Sequence, residues 1–455
     1  MTPEHMVESL RRVGYDAETA ATRAGWLARV GEAFDRVTGA PPEWRWCVPG
    51  RIEIFGKHTD YAGGRSLLAA VPRGFAVAAG ARNDNRVRVL DARYGESIII
   101  DIHDTQAKWR GWANYAAVTV RRFERNFPGA TLGTDIAIAS DLPRAAGLSS
   151  SSAFVVSIAL ALIRRAGLEA RDDWRAAITS VEDLAWYLGC VENGLSFQSL
   201  GGIDGVGTRG GSQDHTAILA CRPGVVSHYS FMPVRAHGET AMPAGWRFVV
   251  ASSGVHADKA GSVRDRYNRA SQAVERLLAI WNASVESASS SLAAALGSDP
   301  DAEARLRDVL RNRPASRVQG PEFKGPEFST EDLDRRLSMF VRETARVPMA
   351  AAAFASADRD GLGSLTRSSQ EDAERLLGNQ IPETIALARL AYEQGAFAAS
   401  AFGAGFGGSV WALVPAADAE RFGAEWMRRY REAFPFRDTA EWFSASPGPG
   451  ASAIE

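Results

Sequence analysis

A glycine- and serine-rich segment that runs directly into an apolar helix pattern constrains this fold most. Residues 143–153 read PRAAGLSSSSA, and the apolar spacing that follows predicts a buried helix over residues 152–167. Gly147 can adopt backbone conformations that other residues resist, and serines cap helices, whose first N–H groups attract phosphate. An ordinary serine-capped core helix is the simpler interpretation, but four consecutive serines exceed what a cap requires. The segment therefore favours anion binding, without the lysine of a Walker A loop.

Length and patterning predict two domains of mixed structure. A chain of 455 residues exceeds what one hydrophobic core usually serves. A leading helix is expected in the first 40 residues, and strand-like and helix-like segments then mix as far as about residue 235. A further strand over residues 246–254 precedes a mostly helical second half. We therefore predict an α+β protein with domains at residues 1–235 and 236–455.

Composition argues against several classes of partner. Apolar residues make up 45% and charged residues 23% of the chain, and the net charge of -2 provides no general attraction to nucleic acid or membrane. The N-terminus lacks a leader pattern, and no stretch approaches the roughly 18 apolar residues of a membrane helix. We expect a soluble, cytoplasmic, monomeric protein. The cysteines Cys47, Cys190 and Cys221 are too widely spaced to suggest a disulfide framework or a zinc site.

Glycine marks three other segments. Residues 50–64, GRIEIFGKHTDYAGG, place a strand before a charged loop that can grip a polyhydroxylated ligand, although such turns are more often simply solvated. Residues 403–408, GAGFGG, match GxGxxG, but a helix precedes and a strand follows, the reverse of a dinucleotide-binding fingerprint. Residues 205–219, GVGTRGGSQDHTAIL, place Asp214 in a glycine-rich turn, where a helix N-cap is the simpler interpretation.

Taken in this order, the four segments resemble the characteristic motifs of the GHMP kinases. Residues 50–64 resemble the galactokinase signature GRxNLIGEHTDYNGG, and residues 143–153 resemble the nucleotide-binding motif PxxxGLSSSA. Residues 205–215 resemble GVxCGxxDQ, and residues 400–414 resemble the glycine-rich third motif. The resemblance implies an N-terminal domain like domain 2 of ribosomal protein S5, a C-terminal ferredoxin-like domain, and an active site between them.

The resemblance also implies a sugar kinase that transfers the γ-phosphoryl group of ATP to the anomeric hydroxyl of galactose or a related monosaccharide. Asp214 matches the family's catalytic aspartate, and Arg51 matches its arginine. An arginine near a carboxylate favours the ionised form, which can orient or accept the hydroxyl proton. The positions matched to sugar binding are Lys57, His58, Asp60 and Tyr61.

ATP and Mg²⁺ are the implied cofactors. The positions matched to the nucleotide are Gly147, Leu148, Ser149, Ser150 and Ser151, with Gly405 and Gly407 in the third motif. Ser151 is expected to reach Mg²⁺, and a shift of one residue is open because Ser152 stands where the family has alanine. Glu192 is the expected second metal ligand, although about ten extra residues separate it from the catalytic aspartate. Glu182, earlier on the same predicted helix, is the alternative.

Departures from the signature bear on the choice of sugar. Lys57 stands where galactokinases carry a sugar-binding glutamate, and a lysine favours an anionic substituent such as the carboxylate of a uronic acid. Glu53 replaces an asparagine, and if it meets Lys57, the pair can neutralise itself and only reshape the pocket. Val263 occupies the position of a sugar-contacting tyrosine, and Tyr267 is the available substitute.

Other functions stay open on the sequence alone. An arabinose, fucose or uronic acid kinase is the nearest alternative, and a non-catalytic sensor of sugar and ATP is another. The presence of Arg51, Asp214 and the serine loop argues against the sensor. Kinases of mevalonate-like alcohols or of homoserine form a third class, which the sequence HTDY at residues 58–61 disfavours.

Overall fold

The computed structural model describes residues 1–104, 106–143, 146–255, 261–312 and 327–455. Its strands are β1 (Trp44–Phe55), β2 (Arg65–Ala81), β3 (Arg86–Asp91), β4 (Ser97–Asp101), β5 (Thr134–Ser140), β6 (Val225–Ser230), β7 (Arg235–Ala241), β8 (Trp246–Ser252), β9 (Ala398–Ala401), β10 (Ser409–Pro415), β11 (Glu441–Ala445) and β12 (Ser452–Ala453). Its α-helices are α1 (Pro3–Arg12), α2 (Ala17–Thr38), α3 (Trp112–Asn126), α4 (Ser150–Ala166), α5 (Asp172–Ala177), α6 (Val181–Asn193), α7 (Gln213–Ala220), α8 (Gly261–Asn282), α9 (Leu292–Leu296), α10 (Ala302–Asn312), α11 (Thr330–Ala355), α12 (Arg359–Asp372), α13 (Pro382–Glu393) and α14 (Ala419–Ala433).

The first sheet is organised around the long strand β2. Its order is β12-β1-β2-β5-β3-β4, and β6 pairs with a second stretch of β2 and with β7. These pairings are antiparallel, except that β3 runs parallel to β5. Side chains alternate across a strand, so Val77 and Ala79 lie in one buried cluster while Ala76 and Ala78 lie in another. The sheet therefore needs a cover on both faces.

Helices provide these two covers. Helices α1 and α2 pack over the face that carries Ala76 and Ala78, where Leu27 and Val30 of α2 are fully buried. The opposite face packs against α3, α4 and α6. Helix α4 is buried along most of its length, and each large apolar side chain that it buries contributes about 1.5–3 kcal/mol. The core, rather than the serine cap, therefore holds this helix in place.

The second sheet has the order β11-β8-β10-β9, with antiparallel pairings. Along the chain, β8 is followed by a helical region, then β9, β10, α14 and β11. This order is the ferredoxin-like arrangement that the family resemblance implies. Helices α13 and α14 pack on the face that carries Val249 and Ala251, while Phe248 and Trp411 on the other face join the core of the first sheet.

The chain crosses between the two sheets more than once. Strand β7 spans the expected boundary at residue 235 and pairs with β6 in the first sheet. After β11 the chain returns to the first sheet, where β12 pairs with β1 and the Gly448 N–H donates to the Ala70 carbonyl at 2.8 Å. The domain limits 1–235 and 236–455 stay a prediction. In the described part of the chain, no helix combines the length and apolar character that crossing a membrane requires.

A glycine in α14 tests the packing of the second sheet, and a glycine in α2 is its control. A Cβ at Gly423 of α14 would lie 2.1 Å from the Trp442 ring on β11, whereas a Cβ at Gly25 of α2 would meet nothing within 4 Å. We expect Gly423→Ala to lower the free energy of unfolding by about 1–3 kcal/mol through overpacking. The control Gly25→Ala should raise it by about 0.4–1 kcal/mol. Urea denaturation measures both, and equal effects would contradict this packing.

Candidate active site

Close backbone approaches bring the sequence motifs together. A Cβ at Gly50 would lie 2.7 Å from the Leu148 carbonyl oxygen, and the Arg51 N–H donates to that same oxygen at 3.2 Å. In the third motif, a Cβ at Gly408 would lie 3.1 Å from the Ala146 carbonyl oxygen. A side chain at either glycine would press against backbone. The serine loop therefore lies between β1 and the third motif.

Arg51 and Asp214, the two predicted catalytic residues, form a direct ion pair. Arg51 Nε donates to Asp214 Oδ1 at 2.8 Å, and its Nη1 donates to the Gly147 carbonyl at 2.8 Å. Burial alone lowers the pKa of Arg51, but the carboxylates of Asp214 and Glu53 outweigh it and raise this pKa. The guanidinium is therefore held as a cation beside the carboxylate. Asp214 lies in the first turn of α7, whose N-cap position is taken by Ser212.

A small polar cavity surrounds this pair. Of the predicted site residues, it is lined by Arg51, His58, Asp60, Glu192 and Asp214. The further lining residues are Glu53, Ser152, Asn193, Thr208, Gly210, Gly211, Gln213, His215, Tyr267, Gly403 and Ala404. Residues that are up to 353 positions apart in sequence, from Arg51 to Ala404, thus face one space.

Gln213 holds the acidic side of this cavity together. Its backbone N–H donates to Asp60 Oδ2 at 3.1 Å, and its side-chain Nε2 donates to Glu53 Oε2. Ser66 Oγ completes the set by donating to Gln213 Oε1 at 2.7 Å. Burial raises the pKa of Asp60 to about 6. Gln213 is not among the site residues predicted from the sequence, where its position directly before Asp214 is the one signal that points to it.

The glycine-rich turn directly before Asp214 forms a wall of the cavity. Asn193, at the end of α6, accepts from the Gly210 N–H at 2.7 Å and donates to the Gly211 carbonyl at 3.3 Å. A Cβ at Gly211 would lie 2.3 Å from Asp60 Oδ2, so only glycine fits there. Thr208, Gly210 and Gly211 therefore close one side of the cavity.

His58 lines the cavity, whereas Tyr61 contacts His58 from outside it. His58 lines it and has a positive φ of 57°, while its Nδ1 lies 2.7 Å from the Tyr61 hydroxyl. Tyr61 does not line the cavity, and Arg336 of α11 donates to its hydroxyl at 3.0 Å. Tyr61 therefore supports His58. Tyr267, the substitute considered for the tyrosine missing at Val263, lines the cavity with its ring centroid 5.0 Å from that of His58.

Lys57 does not reach the cavity, which corrects the predicted sugar contact. Its side chain is 1% exposed, and Nζ lies 2.6 Å from Ser369 Oγ and 3.8 Å from Glu343 Oε1. Burial lowers the pKa of Lys57, and the carboxylate of Glu343 partly opposes this. Glu343 also accepts the backbone N–H groups of Gly56 and Lys57 at 3.0 and 3.3 Å. The loop is thus anchored to α11 through the residue that was expected to bind sugar.

The serines at the start of α4 divide between two environments. Ser152 Oγ donates to Glu192 Oε2 at 2.9 Å, and His215 Nε2 lies 3.1 Å from the same oxygen. Ser150 and Ser151 instead line a second cavity. Successive helical residues are about 100° apart around the axis, so Ser151 cannot share the direction of Ser152. The hydroxyl and carboxylate oxygens of Ser152 and Glu192 are of the type that Mg²⁺ prefers, and this pair fits a metal site.

The second cavity is larger and more aromatic. Its volume is about 690 Å³, within the range of small-molecule sites. Beside Ser150 and Ser151, its aromatic and cationic lining residues are Phe75, Arg93, Tyr94, Trp109, Arg110, Trp112, Tyr115, Phe154 and Arg264. These aromatic residues are not predicted from the sequence, because they come from separate elements, among them β2, α3 and α4, and share no motif. The cavity adjoins the N-terminus of α4, where anions are favoured.

The remaining predicted nucleotide positions lie outside the linings of the two cavities. Ser149 has a φ of 60° at the N-cap position of α4, and its hydroxyl is buried without a hydrogen-bond partner among the described residues. A Cβ at Gly405 would lie 2.3 Å from the Asn379 carbonyl oxygen, and Gly407 has a φ of 132°. Neither glycine lines the two cavities described above. Their contact with a nucleotide stays a prediction.

Three family models match the chain. The galactokinase galactose-binding signature matches residues 32–81, the GHMP kinases N terminal domain matches residues 114–185, and the GHMP kinases C terminal matches residues 350–432. The first match contains Arg51 and the loop that follows β1. The second contains the serine loop, and the third contains the glycine-rich third motif.

The chain is also similar to named bacterial proteins. It is 27% identical over 423 residues to the galactokinase of Roseiflexus sp., covering 92% of this chain and 95% of that protein. It is 29% identical over 409 residues to the galactokinase of Chloroflexus aggregans, with coverages of 89% and 92%. Lactococcus lactis galactokinase complexed with galactose has a TM-score of 0.72 at 21% identity, covering 94% of this chain and 99% of that one. At this identity the likeness shows the fold, and it confirms the expected fold class.

Variants of Lys57 test its structural position. Lys57→Met removes one cation from a buried charge cluster, and we expect it to lower the free energy of unfolding by about 3–5 kcal/mol. Lys57→Glu should be at least as damaging, because it places a second carboxylate near Glu343. Lys108→Met, at an exposed position, is the control and should change stability by no more than about 0.5 kcal/mol. Chemical denaturation provides the values, and a Lys57→Glu variant as stable as the parent would refute this position.

The raised pKa of Asp60 predicts a pH-dependent stability. The folded state retains a proton up to pH of about 6, whereas the unfolded chain releases it at about 4. The stabilisation that comes from the tighter proton binding of Asp60 in the folded state is therefore fully present below pH 4 and is lost as the pH rises through 6. Relative to Asp60→Asn, the parent should lose up to about 3 kcal/mol over this interval. Denaturation at several pH values measures the difference, and a difference independent of pH would contradict the prediction.

Proposed function

Because the chain is a member of the GHMP kinase superfamily and carries the galactokinase signature, we propose that it transfers the γ-phosphoryl group of MgATP to the anomeric hydroxyl of galactose or a closely related sugar. The observation that carries this proposal is the buried ion pair of Arg51 with Asp214, which faces a cavity together with His58 and Asp60. The names of the most similar relatives, all galactokinases, support the choice of sugar.

The small cavity is the proposed sugar site. His58 and Asp60 offer polar groups for ring hydroxyls, and Tyr267 supplies an aromatic surface against which the apolar face of a sugar can pack. Lys57 is excluded from this set, since its ammonium is bound to Ser369. A sugar hydroxyl placed beside Asp214 has a carboxylate within reach of its proton.

Asp214 is the proposed base for the transfer. The sugar oxygen attacks the γ-phosphorus and its proton passes to Asp214, while the new O–P bond forms and the bond to the β-phosphate oxygen breaks, releasing ADP. Arg51 holds the carboxylate in place and balances negative charge on the transferring group. Most of the rate enhancement should come from this positioning and charge compensation, as in other phosphoryl transfers.

The larger cavity is the proposed nucleotide site. Its aromatic side chains suit a purine base, and its arginines and the N-terminus of α4 suit the phosphates. Residues Gly147 to Ser151 would follow the triphosphate, as the family resemblance implies. Ser152 and Glu192 would hold Mg²⁺, which neutralises phosphate charge when bound. A cytoplasmic location and a monomeric state stay predictions.

Replacing the proposed base tests the reaction. Asp214→Asn keeps the size of the side chain but removes its negative charge, so kcat should fall by about 100-fold or more. Binding of a fluorescent ATP analogue should change little. Asp204→Asn, at an exposed position in the segment before Asp214, is the control and should retain full activity. Release of ADP with galactose as acceptor measures the rates, and unchanged turnover of Asp214→Asn would refute the assigned role.

Two serine variants test the proposed metal ligand. Ser152→Ala removes the hydroxyl next to Glu192, so we expect the concentration of Mg²⁺ needed for half-maximal activity to rise by about tenfold or more. Ser151→Ala should affect ATP binding more than this Mg²⁺ requirement. Binding of Mn²⁺ in the presence of ADP, followed by electron paramagnetic resonance, provides a readout that is independent of turnover. If Ser151→Ala raised the Mg²⁺ requirement more than Ser152→Ala, Ser151 would be the ligand instead.

A further inference from the structure

Two substitutions in the galactokinase signature act together in this structure. Relative to GRxNLIGEHTDYNGG, the chain has Glu53 in place of asparagine and Lys57 in place of glutamate. Considered without Glu53, the lysine at position 57 predicts a cation in the sugar pocket. The structure instead places Glu53 in the wall of the small cavity and Lys57 outside it. The cavity therefore keeps a carboxyl group, which has moved from position 57 to position 53.

The charge of Lys57 is used within the protein. Its Nζ donates to Ser369 Oγ and lies 3.8 Å from Glu343, which is itself 0% exposed. Arg346 donates to Glu343 at 3.1 Å and also bonds Asp372, so the cluster joins α11 to α12. Moving the ammonium into the cavity would leave a buried carboxylate with fewer cations around it. The free-energy cost of that change keeps the Lys57 ammonium beside Ser369 and Glu343.

Glu53 has capacity left for a ligand. It is 1% exposed, and its Oε2 accepts from Gln213 and lies 3.7 Å from Arg51 Nη2. Its Oε1 is buried and has no hydrogen-bond partner among the described residues. A buried oxygen in this state is costly unless a ligand or water completes its bonding. A sugar hydroxyl in the cavity is a suitable donor.

The third motif makes room for this carboxyl group. A Cβ at Gly403 would lie 2.4 Å from Glu53 Oε1, so any larger residue would displace it. Gly403 also lines the cavity, and its carbonyl accepts from Asn379 at 2.6 Å. Glu53 is therefore fitted between the first and third motifs, with its position set from both sides.

The balance of charge in the cavity disfavours an anionic sugar. The carboxyl groups that line the cavity belong to Glu53, Asp60, Glu192 and Asp214. Arg51 is the one lysine or arginine among the residues that line the cavity in the described part of the chain, and it is already bonded to Asp214. The carboxylate of a uronic acid would thus meet carboxyl groups without a free cation.

We propose that Glu53 is a sugar-binding residue whose Oε1 pairs with a ring hydroxyl, taking over the role of the carboxylate that galactokinases carry at position 57. Neutral sugars are accepted and uronic acids are rejected as a consequence. This inference rests on the proposed function and names the substrate class of the same site.

The test compares sugar binding by the full-length protein, its Glu53→Ala variant and its Glu53→Gln variant, using calorimetry with galactose, galacturonic acid and the monodeoxygalactoses. The parent should bind galactose at least about tenfold more tightly than galacturonic acid. Glu53→Ala should weaken galactose binding by about tenfold or more, and one deoxygalactose, which lacks the contacted hydroxyl, should show no further loss in this variant. Glu53→Gln keeps the size of the side chain and should narrow the difference between galactose and galacturonic acid.

Two controls separate a binding role from a structural one. Glu383→Gln alters a buried carboxylate outside both cavities and should leave sugar binding unchanged. Binding of a fluorescent ATP analogue should be equal in all variants, which shows that they are folded. Tighter binding of galacturonic acid by the parent, binding of no sugar by the parent, or equal losses for every deoxygalactose in Glu53→Ala would each overturn the inference. Sugar binding without ADP release would instead overturn the proposed function and leave the inference supported.

Discussion

The guanidinium of Arg51 joins the three segments on which the candidate site depends. It is bonded to Asp214 at the start of α7 and to the Gly147 carbonyl in the serine loop, while its own backbone belongs to β1. Because the group is buried, each of these bonds is strong, and the loss of any one would leave a polar group unpaired. One side chain therefore fixes the positions of β1, the proposed base and the loop that is expected to follow the phosphates relative to one another.

A second buried cluster sets the loop after β1. Glu343 of α11 receives two backbone N–H groups of this loop and the Lys57 ammonium, although it lies 286 residues away from Lys57 in sequence. Lys57 and Glu343 are both buried, and their opposite charges compensate each other. An arrangement that left either charge unpaired would carry the free-energy cost of its desolvation. The helices of the second half of the chain thus determine which side chains of the first half face the small cavity. Glu53 lies in its lining, and Lys57 does not.

The start of α4 separates the two cavities. Ser150 and Ser151 face the larger aromatic cavity, while Ser152 faces Glu192 and the polar cavity. This division follows from the helix, in which successive residues point about 100° apart. A run of serines can therefore serve a nucleotide on one side and a metal ion beside the sugar on the other. The burial of α4 in the core keeps this arrangement rigid.

The sequence by itself indicated the strands β1, β2, β3, β4, β8 and β10 and the buried helix after the serine loop, whereas the ferredoxin-like second sheet and the nearness of Arg51 to Asp214 were implied by the family resemblance. The strands and the helix depend on local periodicity, and the implied features depend on motifs that occur in the family's order. Only the tertiary structure decided that Lys57 lies outside the cavity, that Ser152 meets Glu192, and that aromatic residues of β2, α3 and α4 line a second cavity. The physical reason is that the direction of a buried side chain depends on its partners, such as Glu343. These partners lie far away in the chain, so the local sequence pattern does not indicate them.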